Sequence, residues 1–224
     1  MKRGVVIVAG GTGQRMESEI PKQYMELNGK PVILHTLEKF FQFDPDIKVV
    51  LVMANDHYKF WNEIPLSHEY GSRVEIVPGG KSRFDSVKNG LSLIEDGLVV
   101  GIHDAVRPLV SMETLERCYE AAAERGSGIP VIDMEESVRM VKEQGHSVRM
   151  DRSKLRRVQT PQVFKSELIK EAYRQPCDQE FTDDAAVYES LFETVRLVKG
   201  NRENIKITTP TDLQLASILI RTVG

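Results

Sequence analysis

The sequence predicts an α/β fold, a mostly parallel open sheet with helices on its faces. Short apolar runs at Val5–Val8, Lys48–Ala54, Val74–Val77, Leu98–Ile102 and Ile129–Ile132 alternate with segments of helical periodicity such as Pro31–Phe43 and Glu113–Arg125, the pattern of βαβ units. Within Val5–Val8 apolar residues occupy both parities, as in a strand covered on both faces. The length, 224 residues, suits one α/β domain plus an excursion.

A net charge of −3, with 41% apolar and 28% charged residues, describes an ordinary globule and argues against a nucleic-acid footprint. Any phosphates must be met by locally clustered Lys and Arg. Cys118 and Cys177 are too few and too far apart for a zinc site or a disulfide framework, and are expected as free thiols. No leader pattern precedes the first apolar run and no segment reaches membrane-spanning length, so a cytoplasmic protein without membrane partners is expected.

Val5–Val8 empties into Gly10, Gly11 and Gly13, where three missing Cβ atoms allow positive φ and let backbone N–H groups close on phosphate oxygens. Arg15 adds a planar fork of donors and Lys22, after Pro21, a mobile cation. The spacing is neither G-x-G-x-x-G nor G-x-x-x-x-G-K-[ST], and a plain hairpin turn needs no Arg and Pro-Lys behind it. G-G-x-G-x-R-M followed by P-K-Q resembles the signature loop of nucleotidyltransferases that join a sugar phosphate to a nucleoside triphosphate.

Pro31–Phe43 reads as a helix opened by its proline, Lys48–Ala54 as a strand, and His57–Ile64 as a short helix with Phe60 and Trp61 in the core or its rim. A third strand, Val74–Val77, leads through PGGKSR (78–83) into a helix over Phe84–Ile94. Ligands of open sheets bind beyond the carboxyl ends of strands, so this loop is expected to face the first, Gly80 admitting a base or ribose ring and Ser86 donating a hydroxyl to it. The alternative is a helix entry with a capping hydroxyl.

Leu98–Ile102 ends in HDAVRP (103–108). Asp104, an acid where phosphates are expected, calls for a cation, and a single carboxylate beside phosphate oxygens suits Mg²⁺; the alternative is an ion pair with Arg107, and both can hold. His103 has no second His or Cys at ligand spacing and reads as a packing or hydrogen-bonding residue.

Ser111 caps the helix Glu113–Arg125, and Ile129–Ile132 is a further strand. From 133 to 160 polar and apolar residues alternate around a Gln144-Gly145 tip, with Val138, Met140, Val148 and Met150 on one side. Such a two-stranded arm does not stand alone in water and is expected to pack on a second subunit. Arg139, Arg149, Arg152, Arg156 and Arg157 make it basic; such charges usually face solvent, but an exchanged arm can bring Arg152 and Thr160 to a phosphate. A helix over Ser166–Tyr173, Thr182 as cap of a helix Asp183–Leu191, strands at Thr194–Lys199 and 201–208, the latter carrying Lys206, and Thr211 as cap of a helix Asp212–Arg221 complete the chain.

AGGTGQRM with PKQ, GGKSRFDSV, HDAVRP, DRSKLRRVQTPQVF, FTDDAAVYE and NIKITTPTDL, in this order over essentially the whole length, resemble the 2-C-methyl-D-erythritol 4-phosphate cytidylyltransferases of the non-mevalonate isoprenoid pathway. The resemblance implies a Rossmann-like nucleotidyltransferase domain over 1–224 with the arm 133–160 as a subdomain, Mg²⁺ dependence, CTP and methylerythritol phosphate as substrates, and a homodimer whose arms cross into each other's sites. It assigns CTP to Ala9, Gly10, Gly11, Gly13, Arg15, Lys22, Gly80, Ser86, Asp104 and Ala105. Arg107 and Lys206 would meet the sugar phosphate from their own subunit and Arg152 and Thr160 from the partner, with Thr182 near the polyol and Ser137 where the family often has Thr. Catalysis falls to Arg15, Lys22, Arg152 and Lys206. Gly10 replaces an alanine common in the family, and AGG also occurs in ribitol 5-phosphate cytidylyltransferases; DAVRP, TDDAA and the DR-x-x-L before QTPQ are nearer the methylerythritol branch. Cytidylyl transfer to ribitol 5-phosphate is the alternative reaction, and a nucleotide-binding regulator without chemistry the alternative class. The joint presence of Arg15, Lys22, Asp104, Arg152 and Lys206 weighs against the regulator, because binding alone does not need them all.

Overall fold

The first apolar run forms β1 (Arg3–Ala9), buried on both faces because Val5, Ile7 and Ala9 enter one core and Val6 the other. In the computed structural model, which describes residues 1–11, 20–64 and 70–223, this strand lies inside an eight-stranded sheet. A 3-10 turn at Lys22–Tyr24 and a small ribbon of β2 (Glu26–Leu27) with β3 (Lys30–Pro31) lead into α1 (Val32–Phe43). Pro31 takes the cap position, where its missing N–H is no loss. β4 (Lys48–Met53), α2 (Tyr58–Glu63) and β5 (Val74–Pro78) follow, and α3 (Arg83–Leu91) crosses back to β6 (Val99–Asp104). β1 therefore pairs in parallel with β4 on one side and β6 on the other. The strand order reverses at β1, which places a ligand crevice beyond the carboxyl ends of β1 and β6.

In the second half α4 (Met112–Arg125), capped by the Ser111 hydroxyl, ends at Gly126 with φ 91° and returns as β7 (Ser127–Asp133). β8 (Arg139–Val141) and β9 (Ser147–Arg149) form the expected arm hairpin, with Met140 opposite Val148 and Gln144 and Gly145 at φ 57° and 78° in the turn. β10 (Arg156–Val158) and β11 (Gln162–Lys165) both run antiparallel to β7, and β11 joins β7 to β6. α5 (Ser166–Ala172), α6 (Asp184–Phe192), β12 (Leu197–Lys199, parallel to β7) and α7 (Pro210–Val223) complete the order β10-β7-β11-β6-β1-β4-β5 with β12 also on β7. One face is covered by α1, α2 and α4 through Leu37, Trp61 and Tyr119, the other by α3, α5 and α6 through Val87, Ile169 and Tyr188. Cys118 is buried and Cys177 exposed, both as free thiols.

Several expected boundaries move. Residues 201–208 are irregular and not a strand, because Asn201 and Asn204 turn their side chains onto neighbouring backbone, Asn201 Nδ2 donating to Leu109 O at 2.9 Å and Asn204 Nδ2 to Thr160 O at 2.8 Å. The strand expected from Thr194 begins at Leu197. Asp183 and not Thr182 caps α6: its carboxylate accepts from Ala186 N at 2.9 Å and is fixed from outside the helix by Gln162 Nε2 at 2.8 Å. Thr211 lies inside α7, whose cap is Thr209: its hydroxyl accepts from Asp212 N at 3.2 Å, while Asp212 Oδ2 accepts from Thr209 N at 2.8 Å. That is a capping box with Pro210 in the first helical position.

Candidate active site

A cleft of about 370 Å³ opens at the switch point. Ala9, Gly10 and Gly11 line it from the end of β1, Gly80 and Ser86 from the start of α3, Asp104 and Ala105 from the end of β6, and Lys22 and Lys206 from the loops. The residues assigned to CTP thus meet in one place, except Gly13 and Arg15, which lie outside the described residues. Gln23, Lys81, Ser82 and Arg83 also line the cleft.

The first loop is anchored from behind. Gln23 Nε2 donates to Ala9 O at 2.7 Å, which fixes the strand end next to the Lys22 turn. Gly10 and Gly11 do not take the expected positive φ, and a Cβ at Gly11 would meet nothing within 4 Å among the described residues; what glycine gives there is bare backbone facing the cleft. At Gly80 the demand is internal, since a Cβ would fall 2.2 Å from Asp85 Cβ. The start of α3, and not a ligand ring, presses on this glycine. Ser82 caps α3 in a reciprocal box with Asp85. The Ser86 hydroxyl, expected to donate to a ring, donates instead to Ser82 O at 2.8 Å and accepts from Gly80 N at 3.0 Å. It offers a ligand a lone pair.

Charge concentrates on Asp104. Its Oδ2 receives Arg107 Nε at 3.0 Å and Lys206 Nζ at 3.1 Å, so the expected ion pair exists with a second cation added. Burial pushes the Asp104 carboxyl up, but Lys206, Arg107 and Arg83 outweigh it and hold the group well below the usual carboxylate range. Arg83 reaches across 101 positions to grip Asp184 with both Nη atoms at 2.7 and 2.6 Å, and Tyr173 Oη donates to the same carboxylate at 2.7 Å. Burial works against the Arg83 charge and Asp184 more than offsets it. The sequence reading missed this pair, because no local spacing links Arg83 to Asp184.

The residues assigned to the sugar phosphate divide. Arg107 does not line the cleft itself; it is held next to it by Asp104 and by Asn204 O, 2.9 Å from its Nη1. Ser137 and Arg152 line a separate hollow on the arm with Arg149, Met150 and Asp151, and Arg152 Nη1 donates to Glu135 O. Thr182 is exposed at the entrance to α6. Thr160, expected from the partner, belongs to its own subunit's wall: buried, it accepts from Asp104 N at 3.1 Å. The reason is connectivity, since β10 and β11 both pair with β7 and hold the 159–161 link against β6. His103 is both a packing and a hydrogen-bonding residue, the two roles expected of it: its ring lies 5.0 Å from that of Phe40 and both its nitrogens have partners.

Among the described residues no group of three His, Cys, Asp or Glu forms a metal cluster, and Asp104 is the only acid that lines the cleft. One ionised carboxylate fits an ion held mostly by phosphate oxygens and water, the habit of Mg²⁺.

A ligand gripped at this switch point meets bare backbone and cations, which suit a nucleoside triphosphate and not an apolar guest, and the sheet is the Rossmann-like sheet of the nucleotidyltransferases. Solved structures that resemble it include the 2-C-methyl-D-erythritol 4-phosphate cytidylyltransferase of Thermus thermophilus, with a TM-score of 0.80 at 29% identity over 99% of this chain and 100% of that one. The 4-diphosphocytidyl-2C-methyl-D-erythritol synthase of Anaerococcus prevotii gives 0.84 at 25% identity over 98% of each chain. A family model described as 2-C-methyl-D-erythritol 4-phosphate cytidylyltransferase (IspD) matches residues 4–222, and the chain belongs to that family of cytidylyltransferases. The relative of that name from Bacteroides fragilis is 50% identical over 98% of this chain and 100% of its own length.

Proposed function

We propose that the cleft transfers the cytidylyl group of CTP to 2-C-methyl-D-erythritol 4-phosphate, the isoprenoid-precursor reaction of its family, by direct in-line displacement. An oxygen of the sugar phosphate attacks the α-phosphorus of CTP, a new P–O bond forms, and the bond to pyrophosphate breaks. A phosphate monoester with a second pKa of about 6 is already largely ionised, so no strong general base is needed. The work is positioning and charge stabilisation. Backbone at Ala9–Gly11, with Gly13, Arg15 and Lys22, takes the triphosphate; Gly80 and Ser86 take the base and Asp104 and Ala105 the ribose side. Arg107 and Lys206 receive the sugar phosphate. Asp104 would hold Mg²⁺ with the CTP phosphates, and the ion would neutralise charge on the leaving pyrophosphate.

The observation that carries this reading is Lys206 paired with Asp104 in the glycine-lined cleft, with Arg107 on the same carboxylate oxygen. Arg152 and Ser137 sit on an arm whose Met140, Val141 and Val148 are exposed, which supports a homodimer in which the arm delivers them to the partner's cleft, with Thr182 near the polyol. Among the described residues no helix is long and apolar enough to cross a membrane, and the proposed location is the cytoplasm.

Pyrophosphate release from CTP and Mg²⁺ tests the reading. Release is expected with methylerythritol phosphate and at least about a hundredfold more slowly with ribitol 5-phosphate, the discrimination of a site built around hydrogen bonds. The reverse order would assign the chain to the pentitol reaction, and no release with either would leave a binding protein.

A further inference from the structure

We infer that His103 is a positioning residue for the sugar-phosphate half of the site, acting through Thr160 and the Arg107 carbonyl. It stands on β6, fully buried, immediately before Asp104. Its Nε2 lies 3.1 Å from Arg107 O and its Nδ1 3.0 Å from Thr160 Oγ1. A carbonyl only accepts, so Nε2 carries the ring proton; in a neutral ring Nδ1 is then bare and accepts. The Thr160 hydroxyl therefore donates to Nδ1, while its oxygen accepts from Asp104 N at 3.1 Å.

Every proton in this chain is thereby placed: Asp104 N–H to Thr160, Thr160 O–H to His103, His103 Nε2–H to Arg107 O. The chain holds both ends of the Asp104–Arg107 turn, which closes on itself through Arg107 N to Asp104 O at 3.1 Å. Asn204, fully buried, extends it toward Lys206 by donating to Thr160 O at 2.8 Å and accepting from Arg107 Nη1 at 2.9 Å. One consequence is that Thr160 has no hydrogen to give a phosphate oxygen and acts through the turn, not by contact. Another is that Thr160, the last residue of the 133–160 segment, ties the root of the arm to the site.

The inference rests on the reading that Arg107 and Lys206 hold the sugar phosphate, and two measurements separate their failures. ¹⁵N NMR of the ligand-free wild-type protein at neutral pH is expected to show His103 protonated at Nε2 and bare at Nδ1; a protonated Nδ1 overturns the inference whatever the substrate. In His103→Leu and Thr160→Val the KM for the sugar phosphate is expected to rise about tenfold, the worth of one hydrogen bond, and the KM for CTP, which meets the same turn only at Asp104 and Ala105, to rise by a smaller factor. Thr160→Ser is expected to restore the wild-type value, and the double variant to be no worse than the worse single, as for residues in one chain of bonds. Additive losses, or equal rises in both KM values, overturn it. Unchanged sugar-phosphate KM in Arg107→Ala would instead remove the underlying reading and leave the tautomer standing.

Discussion

Asp104 keeps a negative charge at the mouth of a cleft built for phosphates because Lys206 and Arg107 lie 3.1 and 3.0 Å from the same oxygen. The carboxylate holds Lys206 in the cleft lining and Arg107 next to it. Lys206→Ala and Lys22→Ala are each expected to lower turnover on the order of 10²–10³, the loss typical of one transition-state donor; steady-state kinetics with CTP and methylerythritol phosphate check this, and normal turnover would remove the assigned role. His103 answers to a different term. Burial pushes its pKa from 6.5 down to about 4, so between those values the unfolded chain binds a proton there that the folded chain does not. The stability linked to His103 is therefore fully present above about pH 6.5 and lost as the pH falls toward about 4. Urea midpoints of His103→Gln, which lacks the titrating group, are expected to fall less than wild type over that window; parallel curves would contradict this.

α3 is the element that joins core and cleft. Its start presses on Gly80, its first residue Arg83 grips Asp184 on α6, and its far end lies against the sheet at Gly90. Removing one partner of a buried pair costs about 3–5 kcal/mol. Arg83→Met is expected at the lower end, about 3 kcal/mol in chemical denaturation, because a third of the Arg83 side chain faces solvent and Tyr173 stays on Asp184; a loss under about 1 kcal/mol would mean the pair holds nothing. A Cβ at Gly90 would come within 2.4 Å of Val6 Cγ1 and 2.8 Å of Val52 Cγ2. Overpacking costs about 1–3 kcal/mol and better helix propensity returns about 1, so Gly90→Ala is expected to destabilise on balance, and a raised melting temperature would show that α3 can lift away. Elements whose signals are local were legible in the sequence: β1 by its doubled apolar parity, α4 by Ser111, the arm hairpin by Gln144-Gly145. What was misread depends on distant partners, as with Asp183 fixed by Gln162, or on polar side chains that displace a ladder, as at Asn201 and Asn204.

Over the whole molecule, the glycine loops and cations of one cleft come together from three strand ends and the loop before α7, and the sequence announced that convergence because each motif follows an apolar run. It announced Asp104 with Arg107, three positions apart, but not Arg83 with Asp184 or Asp104 with Lys206, which are contacts across about a hundred positions; and the resemblance gave Thr160 to the partner, whereas its hydroxyl here bonds Asp104 N of its own chain. The arm leaves Val141 75% exposed and Met140 47% exposed, apolar surface that a two-stranded hairpin does not keep in water unaided. The proposed function places this surface in a homodimer in which Lys22 serves its own cleft and Arg152 the partner's. Mixing Lys22→Ala with Arg152→Ala subunits is the direct test. In a randomly mixed twofold dimer, half of the molecules are hybrids and each hybrid has one intact site, so turnover is expected to recover to about a quarter of wild type. A mixture no more active than its two parents would contradict a site built from two chains.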